Sequence, residues 1–284
     1  MPAVTLALSA GPCSVDYTTT GSGPDLLLVH GTAASAEIWR PFTAAVADRY
    51  TVIAPNLSGS GTTTDPGGPL TVDDLAAQVV ATAEAAASGP VHLVGQSLGA
   101  VVAATVAAIR PDLVASLVLV SGWNATDVRG HALFDLWTQA LAAGPELFAR
   151  LLVMTGPRAH FYDLLGRKGV EELTKMFAGM LPPGSDRQIA VDHTVDITAL
   201  LPAITAPTLV VGCTYDQMVP VKHQRAQAEG IGGARYAEVA AGHMLVIELP
   251  ELFAATVTDF VGQHTSPSSG SATGQPTRLA QAQT

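Results

Sequence analysis

Val91-His-Leu-Val-Gly95-Gln96-Ser97-Leu98-Gly99-Ala100 is the stretch whose reading decides the fold. An apolar run ends in Gly-x-Ser-x-Gly, and an Ala- and Val-rich segment follows. The run reads as a strand and the segment as a helix, stopped by Pro111. A serine on so tight a strand-to-helix turn projects its oxygen clear of the backbone, and the flanking glycines leave room around the bend. It also sits at the positive end of the helix that follows. Ser97 is therefore the candidate nucleophile.

Outward from this turn, the same alternation recurs. Strands are expected at Val4–Leu8, Cys13–Thr18, Leu26–Val29, Thr51–Ala54, Val91–Val94, Leu117–Val120, Leu209–Gly212 and Ala234–Val239. Most of the later ones are continuous β-branched or Leu runs, the pattern of strands buried on both faces of a parallel sheet. Helices are expected at Ser35–Ala47, Thr71–Ala87, Leu98–Arg110, Lys222–Glu229 and Pro250–Gln263. Thr71 with Asp74 three residues on has the form of a helix start. The fold class is α/β. Between Trp123 and Leu200 the strand signal disappears. Helical periodicity at His131–Ala143, Pro145–Met154, Val170–Leu181 and Asp186–Val195 suggests a cap. The expected organisation is a core of residues 1–123 and 201–262, a helical cap over 124–200, and a disordered tail over 263–284, rich in Ser, Thr, Gly and Gln.

A serine nucleophile needs a base, and the base needs an orienting acid. His243 follows the last strand candidate in Ala240-Ala-Gly242-His243-Met244. Asp216 follows the penultimate one. Both fall at the edge of a parallel sheet where Ser97 also falls, in the order Ser97, Asp216, His243. Leu26-Leu-Leu-Val-His30-Gly31-Thr32 ends an earlier strand at that edge. The backbone N–H groups of Thr32 and Leu98 are the candidate oxyanion hole. His30 reads as a residue that pins the loop by a hydrogen bond, next to the substrate.

Composition narrows the partners. The chain has 284 residues, 48% hydrophobic and only 13% charged, with net charge −10. That excludes a disordered chain. With no basic stripe, a nucleic-acid partner is not expected. Mean hydropathy is +0.33, but the most apolar stretch contains the Gly-x-Ser-x-Gly turn and is too interrupted to span a bilayer. Without a basic leader, and with two cysteines read as free thiols, a cytoplasmic location is expected. Cys13 and Cys213 lack metal-ligand spacing, and neither a metal nor a cofactor is expected.

These motifs together resemble the α/β-hydrolase superfamily, in its Ser-His-Asp esterase, thioesterase and haloperoxidase-like branch. The resemblance covers residues 3 to 262 and rests on His30-Gly31, the Asn56-Leu-Ser-Gly-Ser-Gly61 turn, Gly95-Gln-Ser-Leu-Gly99, the Asp216 loop and Gly242-His243. It implies a mostly parallel eight-stranded sheet with a helical cap after strand six. One departure stands out: Asn56 and Ser58 replace the charged pair of the family's Asp-x-Arg-Gly-x-Gly turn. Relatives with an Asp nucleophile, the epoxide hydrolases and haloalkane dehalogenases, are excluded by Ser97.

The expected activity is hydrolysis of a hydrophobic ester, thioester or lactone through an acyl-enzyme. Alternatives with the same residues are acyl transfer, elimination or cyclisation of a natural-product intermediate, cofactor-free haloperoxidase-like chemistry, and a non-catalytic receptor. Ala-rich composition fits bacterial secondary metabolism. No basic cluster offers to hold a coenzyme A phosphate, so the substrate is expected to be a small apolar acyl compound, free or on a carrier protein. The pocket is expected to include His30, Gly31, Trp123, Phe134, Trp137, Met154, Tyr162 and Met244, and His160 and His193 are further polar candidates.

Overall fold

The computed structural model describes residues 2–265; residues 266–284 of the expected tail lie outside the described residues. Eight strands form one sheet: β1 (Ala3–Leu8), β2 (Gly11–Gly21), β3 (Asp25–Val29), β4 (Thr51–Pro55), β5 (Val91–Gln96), β6 (Val114–Val120), β7 (Thr208–Cys213) and β8 (Arg235–Val239). Their order across the sheet is β1-β2-β4-β3-β5-β6-β7-β8. β2 runs antiparallel to β1 and β4, and every other pair is parallel. All eight expected strands are present. The chain winds one way from β3 to β4 and the other way from β3 to β5. Such a reversal opens a crevice at the carboxyl ends of the strands, where α/β sheets bind ligands.

The continuous apolar runs divide between two cores. Leu27, Val29, Leu93, Leu117 and Leu119 face one side; Leu26, Leu28, Val94, Val118 and Val120 face the other. Helices α1 (Arg40–Val46), α2 (Val72–Ala86) and α3 (Leu98–Ile109) cover the first half of the sheet. α3 is buried on nearly every side, and its alanines keep it thin enough to lie close to the strands. α2 starts at a full capping box. The Thr71 hydroxyl accepts the Asp74 N–H, and the Asp74 carboxylate accepts the Thr71 N–H. The helix expected over Ser35–Ala47 is instead a 3₁₀ turn at Ala36–Trp39 followed by α1. Pro41 has no N–H to continue a bond to Glu37, and the Arg40 N–H takes that carbonyl instead.

Four α-helices lie between β6 and β7: α4 (Val128–Ala143), α5 (Pro145–Thr155), α6 (Ala159–Met180) and α7 (Ser185–Thr194). α6 begins eleven residues before the expected Val170, bending at Gly166, where φ is 61°. The glycines at 166 and 169 hide that first segment from a periodicity reading. Three helices follow β7 among the described residues: α8 (Lys222–Gly230), the short α9 (Leu245–Glu248), which sequence patterning does not show, and α10 (Pro250–Gln263). On the second face of the sheet, Phe253 of α10 stacks on Trp39 and meets the edge of Phe42. Among the described residues no helix is long and apolar enough to cross a membrane. Both cysteines are free and buried.

Candidate active site

Ser97 lies between β5 and α3 with φ 58° and ψ −125°, a conformation rare for a residue with a Cβ. The surrounding contacts hold it there. Its N–H donates to the Val120 carbonyl. A Cβ on Gly95 would fall 2.1 Å from the Gly99 carbonyl oxygen, and one on Gly99 would fall 2.1 Å from the Val29 oxygen. Both glycines of the motif are therefore required by close backbone contact.

His243 lies between β8 and α9. Its Nδ1 is 2.8 Å from Asp216 Oδ2. The other Asp216 oxygen accepts the N–H groups of Met218 and Val219, at 2.9 and 2.8 Å. A carboxylate can only accept, so Nδ1 carries the proton and Nε2 is left as the basic nitrogen. Two further groups place the histidine. The Gln96 amide donates to the His243 carbonyl at 2.9 Å, tying it to the serine turn. Glu248 accepts the Gly242 N–H at 2.9 Å and the Arg158 N–H at 3.0 Å. It thereby joins the histidine loop to the connection between α5 and α6. Burial raises the Glu248 pKa, and the two N–H groups work against that rise. No direct Ser97–His243 hydrogen bond occurs among the described residues, and such contacts commonly tighten only when substrate binds.

The Thr32 N–H belongs to the peptide unit whose carbonyl is Gly31 O. His30 Nδ1 donates to that carbonyl at 2.8 Å, while its Nε2 accepts the Leu57 N–H at 3.0 Å. The ring is neutral by construction, and complete burial pushes its pKa down to about 4. His30 therefore fixes the plane of the peptide that presents the Thr32 N–H. Leu98 opens α3, and its N–H is one of the unbonded donors at a helix start.

Ser97, Gln96, His243, Gly31, Thr32, Trp137 and Met244 all line one cavity of about 340 Å³. Its remaining wall includes Leu152, Met176, Phe177, Met180 and Met218, so four of the six methionines in the chain face it. Glu37 and Arg40, an exposed ion pair at 3.0 Å, mark its rim.

Five expected pocket residues are corrected. His30 is fully buried behind Gly31. Trp123 donates its indole N–H to Thr126 and packs on Phe134, and both border a separate, much smaller cavity at the base of α4. Met154 is 67% exposed. It lies two residues beyond Leu152, which a helix carries about 200° around its axis. The Tyr162 hydroxyl donates to the Val153 carbonyl inside the insertion. Neither of the other polar candidates reaches the cavity: His160 is exposed beside Asp163, and His193 stacks on His131.

The Asn56–Gly61 turn keeps its shape without the charged pair. The Asn56 amide donates to Asp16 at 2.7 Å, and its oxygen accepts the Ala36 N–H at 2.8 Å.

The model of the alpha/beta hydrolase fold family matches residues 24–250. The chain belongs to the α/β-hydrolase fold family. A pyrrolizixenacetamide deacetylase from Xenorhabdus hominickii is 37% identical over 89% of this chain and 97% of its own length. RutD of Azorhizobium caulinodans, named as a carbamate hydrolase, is 29% identical over 89% of this chain and 97% of its own. The crystal structure of a hydrolase from Pseudomonas aeruginosa PA01 superposes with a TM-score of 0.79 at 25% identity, covering 92% of this chain and 98% of that one. This α/β hydrolase is accordingly a hydrolytic enzyme.

Proposed function

We propose that Ser97, His243 and Asp216 are the catalytic triad of a serine hydrolase that cleaves the acyl bond of a small apolar ester or N-acyl amide. The reading is carried by the 2.8 Å contact of His243 Nδ1 with Asp216, placed on one cavity wall with Ser97. Ser97 Oγ attacks the carbonyl carbon as His243 Nε2 takes its proton. Asp216 keeps the imidazole in that tautomer and stabilises the imidazolium. The N–H groups of Thr32 and Leu98 receive the oxyanion. His243 then protonates the leaving amine or alcohol, and water, activated by the same nitrogen, releases the acid.

The mostly apolar, methionine-rich wall favours a neutral substrate of irregular shape. The inserted helices supply much of that wall and act as a cap. The amide enters this reading from the deacetylase relative, and thioesters and lactones fall within the same chemistry. Incubation with a fluorophosphonate probe should give one adduct on Ser97 and none in Ser97→Ala. Turnover in ¹⁸O-labelled water should place label in the released acid. An unlabelled Ser97, or an acid without ¹⁸O, overturns the reading.

A further inference from the structure

Two side chains of the inserted helix α7 reach the loop that carries the candidate oxyanion donor. Gln188 and Asp192 are four residues apart, hence on one face of the helix. Both are fully buried. The Gln188 carbonyl oxygen accepts the Ala33 N–H at 2.9 Å. Its amide nitrogen donates to the Ser58 carbonyl and the Ser60 hydroxyl, each at 2.9 Å. Among the described residues the Asp192 carboxyl has one side-chain partner, the Thr32 hydroxyl, at 2.9 and 2.8 Å from its two oxygens.

The loop needs this support. Ala33 sits at φ 56°, a left-handed conformation that is unfavourable for a residue with a Cβ. From the sheet side, the described hydrogen bonds hold the loop at two places. His30 holds the peptide before Thr32, and Ser60 donates to the Ala34 carbonyl at 2.6 Å. Among the described residues, the Thr32 side chain and the Ala33 N–H are held from α7 alone.

We propose that Gln188 and Asp192 are positioning residues for the Thr32 N–H, so that the insertion completes the oxyanion-binding loop as well as walling the cavity. This rests on the serine-hydrolase reading above. Among the described residues Asp192 faces no Lys, Arg or His partner, and burial pushes its carboxyl well above the usual carboxylate range. Its one side-chain contact is with a hydroxyl, which can both donate and accept, so an amide of the same shape can take its place.

The test is steady-state hydrolysis of p-nitrophenyl acetate, with melting curves to confirm folding. Gln188→Ala and Asp192→Ala should each lower kcat roughly tenfold, below the 10²–10³ of losing an oxyanion donor outright, with KM within about threefold. Asp192→Asn should recover most of what Asp192→Ala loses. Thr32→Val, which removes one hydroxyl and keeps the side-chain shape, should match Asp192→Ala, and the double variant should be no slower than either. Unchanged kcat in folded Gln188→Ala or Thr32→Val overturns the inference. So does a loss confined to KM, or an Asp192→Asn as slow as Asp192→Ala. Wild type against Ser97→Ala separates the two readings. If they turn over alike, the serine mechanism itself fails; if they differ and the α7 variants behave as wild type, only the positioning role fails.

Discussion

The edge of the sheet and the inserted helices meet at one cavity but build it differently. At the sheet edge, backbone geometry places each group. Ser97 is fixed by a strained turn between two glycines with no room for a Cβ, and Asp216 by two N–H groups of its own loop. In the insertion, no backbone turn is aimed at the cavity. Side chains on helix faces do the work, and a rotation of one or two residues separates Leu152 in the wall from Met154 in solvent. On the proposed triad reading, chemistry resides where the backbone dictates position, and selectivity where packing does.

The sharpest way to break that comparison is at the edge itself. Ser97→Ala and Asp216→Asn should each lower kcat by ~10⁴-fold, the first by loss of the nucleophile and the second by releasing the wrong imidazole tautomer. Rates within tenfold of wild type would show that the edge is not where reaction occurs. Glu248→Ala probes the seam between the two regions. It orphans the N–H groups of Gly242 and Arg158, at about 1–3 kcal/mol each. A fall in melting temperature together with a fall in kcat is expected; a stable variant at full rate would uncouple the histidine loop from the insertion.

Acid should act on the edge before the wall. The His30 pKa is about 4 in the fold, depressed by burial despite the opposing charge of Asp16, against about 6.5 unfolded. Between those values the unfolded chain binds a proton that the folded one does not. Stability therefore falls as pH drops from about 6.5 to about 4. Buried His92 and half-buried His223 are lowered too and add to the slope. Melting curves from pH 7.5 to 4.5 should show the decline, flattened in His30→Gln; an identical slope in that variant would remove His30 from the account. The smallest effects belong to the wall. Met176→Leu and Met180→Leu should keep kcat within about threefold, since volume is nearly conserved. They should shift the preferred acyl length in a p-nitrophenyl ester series, and an unshifted series would detach these residues from selectivity.

The same contrast explains what could be read from sequence. Gly95, Ser97 and Gly99 announce a turn because no other residue types satisfy it, and the apolar runs announce strands buried on both faces. Asp216 and His243 were legible because each follows a strand in the right order. Phe134 and Met154 are misplaced by sequence because apolar periodicity identifies a buried face without saying what the face meets, and Trp123 and Tyr162 because a place after a strand or on an inserted helix does not say where the side chain turns. Gln188 and Asp192 went unseen for a related reason. A polar pair four residues apart reads as a solvated helix face, and only the docking of α7 reveals that it is buried. Gln96 was quoted within the motif, yet nothing in the chain foretells that its amide reaches the His243 carbonyl.

The methionine wall carries a liability in oxidising conditions. Met176 and Met180 are each 46% exposed, so peroxide has access to their sulfurs. Conversion to sulfoxide would give a flexible apolar lining polar, chiral oxygens. Damage should therefore appear first as lost affinity for apolar substrates while Ser97 still reacts with its probe, and methionine sulfoxide reductase should reverse it. Were the enzyme to make peracids from peroxide as a side reaction, it would erode its own wall before its nucleophile.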